Sequence, residues 1–71
     1  MPIPKEEAAY RELVEDAAIT EAQKAFGAKM EAVGKSVEKF ELGEFMDLMR
    51  VTGRAYHNEV MRWQWLLVNE E

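Results

Sequence analysis

Few residues of this 71-residue chain combine type and spacing in a way that could do chemistry. His57 and Glu59 form an H-x-E pair. On a helix, side chains two apart point roughly 200° away from each other, so these two cannot grip one ion together. Di-iron helical bundles use Glu-x-x-His, and Arg54 stands where that glutamate would have to be. Ser36 is the lone serine and has no glycine elbow around it, so it is a poor nucleophile candidate. The stretches "GKSVEK" and "GRAYHNE" lack the glycine and lysine spacing of a phosphate-binding loop.

Carboxylates are the remaining possibility. Glu12 and Glu15 make an E-x-x-E, and Glu44 and Asp47 an E-x-x-D, in two successive segments. Spaced carboxylates on neighbouring helices can hold Mg²⁺ against a substrate phosphate. On these eight residues the chain resembles the all-α nucleotide pyrophosphohydrolases of the MazG type. "VEDAA" stands where that family begins its first motif with a doubled glutamate. The resemblance implies a carboxylate–metal hydrolase, a remote alternative to the non-enzymatic readings below. No catalytic residue, metal ligand or cofactor site is assigned.

Glu38, Glu41, Glu44 and Asp47 recur at every third position. On one continuous helix they would wind as an acidic ridge, with Glu6, Glu7, Glu12, Glu15 and Asp16 as a second acidic area. Acids near a helix start complement its dipole and keep a protein in solution. Alternatively, an acidic face can engage a basic groove on another protein, such as one built for nucleic acid, and opposite charge would steer the encounter.

Near the end, "MRWQW" sets Trp63 and Trp65 on different sides of a helix. Trp63 falls in an apolar stripe and is expected in the core. Trp65 points away with Met61 and Val68, flanked by His57 and Gln64. Tryptophan and methionine are enriched where proteins meet. Either this patch receives a partner, or Trp65 packs inside a dimer, against Phe40 or against the "MPIP" arm.

These residues need elements to carry them. The run from Lys5 to Val33 is rich in Ala, Glu, Lys, Leu and Gln, which are strong helix formers. It predicts a first helix over 5–33 after an extended arm, 1–4, set by Pro2 and Pro4. Gly27 is a weak point within it. Residues 34–43 read as the connection, with Gly34 closing the first helix, Lys35 beside its last carbonyls and Ser36 capping a short helical turn. One unbroken helix through Phe40 is the competing pattern. Phe45, Met49, Thr52, Tyr56, Val60, Trp63 and Leu67 then recur at intervals of three and four, predicting a second, amphipathic helix over 44–69.

A short connection makes two such helices antiparallel neighbours, so the fold expected is all-α: a helical hairpin of one domain, 1–71. Val14, Ala17, Ala18, Ala22, Ala25 and Ala28 would receive the larger side chains, with Tyr56 near Ala22 and Trp63 near Val14 and Ala18. A chain this small buries only about 60% of the surface its unfolded form exposes and needs help to be stable. It has no cysteine and one histidine, which leaves self-association. Two hairpins would dimerise into a four-helix bundle, with Arg11, Lys29 and Glu59 pairing at its edges.

Net charge −5 disfavours direct binding to nucleic acid or anionic lipid. The opening "MPIPKEE" lacks a signal-peptide pattern, and no apolar run reaches about 20 residues, so a cytoplasmic location is expected. The functional expectation is a non-enzymatic binding module that docks on, and inhibits or regulates, another protein, in the manner of small acidic phage-encoded inhibitors. The alternative is an assembly subunit that self-associates through the same patch.

Overall fold

The computed structural model describes residues 6–69. The chain is an antiparallel helical hairpin: α1 (Glu7–Val33), a single 3₁₀ turn (Val37–Lys39) and α2 (Leu42–Asn69). The expected extended arm, Lys5 and any packing of Trp65 against "MPIP" lie outside the described residues.

Gly34 ends α1. Its φ of 73° is left-handed, and its N–H donates to Met30 O at 3.0 Å, closing the last turn. The continuous helix through Phe40 therefore does not form. Ser36 opens the 3₁₀ turn with its carbonyl, which accepts from Lys39 N at 2.9 Å, while its hydroxyl makes no capping bond. Lys35 turns away from the α1 carbonyls to meet Glu44 across the connection at 2.7 Å.

α2 starts two residues earlier than expected because Glu44 reaches back. Its Oε1 accepts from Glu41 N at 2.9 Å, while Glu41 O accepts the first helical bond from Phe45 N at 3.0 Å. That is the acidic half of a capping box, with Glu41 as N-cap and Glu44 at the third helical position. Gly43 lies inside the first turn and breaks nothing.

The buried core is small: Val14 and Ala18 from α1, Leu48 and Trp63 from α2. Large side chains meet small ones, which lets the axes approach. Trp63 runs back along its own helix and donates its Nε1–H to Glu59 Oε2 at 3.0 Å. Arg62 reaches the same carboxylate oxygen at 3.1 Å and lies 5.9 Å from the indole centroid. Two donors thus compensate a carboxylate only 14% exposed at the core's edge. Tyr10 ties the open end by donating its hydroxyl to Trp63 O at 2.8 Å.

Two expectations about packing are corrected. The register is about one turn off: Thr52, not Tyr56, lies beside Ala22, and Tyr56 shares a groove with Val14 and Tyr10. The apolar stripe of α2 is also only partly used. Leu48, Ala55 and Leu66, which the spacing sets alongside the stripe, and Trp63 within it turn inward, while Phe45, Met49, Tyr56 and Leu67 are exposed. The side facing α1 runs through Leu48, Thr52, Ala55, Glu59, Trp63 and Leu66, one edge of the expected stripe rather than its middle. One alanine-rich helix is too narrow to cover an apolar arc this wide.

Candidate interaction surfaces

Two apolar surfaces remain uncovered on the hairpin. The first is the patch that the sequence marks. Trp65 is 64% exposed although Trp63, two residues away, is only 8% exposed. Met61 and Val68 are exposed on the adjoining turns of the same side, and His57 stands exposed one turn before Met61. The Trp65 carbonyl accepts from the Asn69 amide at 2.8 Å. Gln64 turns to the neighbouring flank and lines a groove with Tyr10, Arg11, Val14, Glu15, Tyr56 and Val60. His57 and Glu59 diverge, as their spacing requires.

The second surface joins Phe45, Met49 and Tyr56 of the expected stripe to Ile19 and Phe26 of α1, which their spacing had not marked. On α1, Ile19 and Phe26 flank Ala22; on α2, Phe45, Met49 and Tyr56 flank Thr52. These five large side chains are each between 36 and 47% exposed. They form one flank of the hairpin along the line where the helices meet. The sequence did carry a signal for it. α1 has almost no amphipathic asymmetry, because Ile19 and Phe26 lie beside its alanine face rather than on it. A helix apolar in more than one direction expects more than one neighbour.

The acidic series does not form one helical ridge. Glu38 sits on the 3₁₀ turn, and the extended backbone at Phe40 separates it from α2. Glu44 is occupied at the cap. The Glu41 amide and the Lys35 ammonium beside it hold its carboxyl below the usual carboxylate range. Asp47 pairs with Arg50 three residues on. Glu38 and Glu41 are exposed and carry no ion pair among the described residues.

The E-x-x-E and E-x-x-D pairs are not brought together within one chain. Glu15 lies at the open end with Tyr10 and Gln64, and Glu44 at the turn with Lys35. At 1.5 Å per residue the pairs are about 20 Å apart along the axis. Among the described residues no group of three or more His, Asp or Glu could hold a metal ion, and no helix is long and apolar enough to cross a membrane. No family model, curated protein or solved structure matches the chain.

Proposed function

We propose that this chain is a non-enzymatic protein-binding module that docks a partner protein through Trp65, with Met61 and Val68 beside it. The exposure of Trp65 carries the reading. An indole held open to water on a rigid helix is a large, stiff anchor that loses little rotamer freedom on binding. His57 and Gln64 would form the polar rim.

The partner chemistry follows from the module. An indole needs an apolar pocket, and a chain of net charge −5 favours positive surroundings for it. A basic groove of the kind that holds nucleic acid offers both. Exposed Glu38 and Glu41, rather than the whole acidic series, would aid the approach. By filling such a groove the module would regulate its partner in competition with nucleic acid.

A photoreactive amino acid at position 65, introduced in the producing cell, tests this. It should give a discrete cross-linked protein that the same probe at Thr20, exposed on α1, does not give, and added salt should reduce the yield. Identical adducts from both positions would defeat the proposal.

A further inference from the structure

We propose that the second surface, Ile19 and Phe26 with Phe45, Met49 and Tyr56, is covered by a second copy of this chain. The two hairpins lie side by side with both turns at the same end. The Trp65 patch stays outside this contact and free for another protein.

Area argues for an occupant of this size. The chain exposes 5647 Å², where a compact monomer of its mass would expose about 4,500 Å². The excess, roughly 1,100 Å², exceeds the ~800 Å² that each partner contributes to a standard interface. Shape agrees. The hairpin is a rod of 48 × 17 × 16 Å with a radius of gyration of 15.2 Å, against about 11 Å for a compact domain of this length. A second rod laid against it thickens the body and supplies the core that four buried residues do not.

Charge argues for a like occupant. Each copy carries −5, so two copies repel unless they meet on a neutral strip. This flank is such a strip. Between Arg11 and Glu15 at the open end and Lys29 near the turn, its facing residues are Ile19, Ala22 and Phe26 with Met49, Thr52 and Tyr56. A neutral, apolar face is self-complementary across a two-fold axis, as an isologous contact requires.

Polarity then selects the axis. Phe26, Phe45 and Met49 lie toward the turn, Ile19 and Tyr56 near the middle, and Arg11, Glu15 and Gln64 at the open end. A two-fold along the helices sets each level against its own kind: Phe26 meets the partner copy's α2 near the level of Met49, and Ile19 meets it near Tyr56. A two-fold across the helices would set Glu15 opposite the partner copy's Lys29 but lay Arg11 and Gln64 over the apolar turn end, leaving the Arg11 charge desolvated without a partner.

The chain has no cysteine, so Lys39→Cys gives a single attachment point for a spin label at the turn. Sedimentation should show a dimer, and the label-to-label distance should be under about 30 Å, a few helix diameters. A distance approaching the 48 Å rod length would overturn the arrangement. A monomer at concentrations where the helices are fully formed would overturn the dimer itself. Met49→Glu, on the strip, should weaken dimerisation at least roughly tenfold. Asn58→Glu adds the same charge to α2 off the strip and should leave dimerisation within about twofold of the parent. If Met49→Glu unfolds the chain, the label distance still decides; equal effects from the two variants would refute the chosen face.

Discussion

Two tryptophans two residues apart should differ sharply in what they cost to remove. Trp63 is only 8% exposed. With about 250 Å² in the full side chain, it withdraws some 200 Å² from water, worth roughly 5 kcal/mol at 25 cal/mol per Å². That figure is an upper bound, because a denatured chain already buries part of its surface. Measured truncations of buried tryptophan cost about 3–5 kcal/mol. Trp63→Ala also strips Glu59 of one of its two donors, leaving the Arg62 pair alone. A chain of this length has roughly 4–10 kcal/mol of stability to lose, so Trp63→Ala should be close to unfolded. Trp65 is 64% exposed, and alanine is the better helix former. Trp65→Ala should therefore fall within about 0.5 kcal/mol of the parent. Urea titration followed by helical circular dichroism measures both. Single-tryptophan variants add a spectroscopic reading: with Trp63→Phe the remaining indole should emit and be quenched as a water-exposed ring. A loss above about 2 kcal/mol for Trp65→Ala, or a shielded Trp65 emission, would refute the reasoning. It would place that ring in a core, and the docking proposal would fail with it.

Tyr10→Phe removes a half-buried hydroxyl bonded to Trp63 O at 2.8 Å and should cost about 1 kcal/mol in urea titration. Glu44 has a carboxyl pKa lowered chiefly by the Glu41 amide, then by Lys35. Its contribution is therefore present above the ordinary carboxylate pKa and lost as pH falls through the lowered folded value; thermal midpoints across acid pH should fall more steeply for the parent than for Glu44→Gln. Gly34→Ala should destabilise by about 1 kcal/mol, because its φ of 73° is left-handed even though the nearest atom to an added Cβ is 4.0 Å away. Gly27→Ala meets nothing within 4 Å on a helical backbone and should stabilise by about 0.5–1 kcal/mol in the same melts.

Much of this hairpin was legible in residue type and spacing. Ala, Glu, Lys and Leu make helices through local backbone preference, and Gly34 closes one because only glycine adopts its conformation at little cost. The division of labour between Trp63 and Trp65 follows from a period of 3.6 residues, which is local geometry. Glu44 shows where local reading stops. Its spacing suggested one step of an acidic ridge, yet the carboxylate serves the Glu41 amide and Lys35, and Lys35 arrives only once the chain has turned. The candidate patch at Met61, Trp65 and Val68 was legible as a side of α2, and Phe45 and Met49 as its stripe, whereas their joining with Ile19 and Phe26 into one flank was not.

Helix content and the side of α2 that carries each indole were therefore written in the sequence, since both depend on contacts within a few residues, while for the turn the spacing left a helix running on to Phe40 in competition with a stop at Gly34. Tertiary structure decided how far each helix was rotated and slid against the other. That choice rests on long-range fit between side chains of unequal size: Ala18 against a wide apolar arc, Trp63 seated on Glu59, Tyr10 reaching Trp63 O. A 3.6-residue pattern fixes the direction of a stripe but not how much of it one narrow neighbour can cover, and the uncovered remainder is visible only once the two helices are packed.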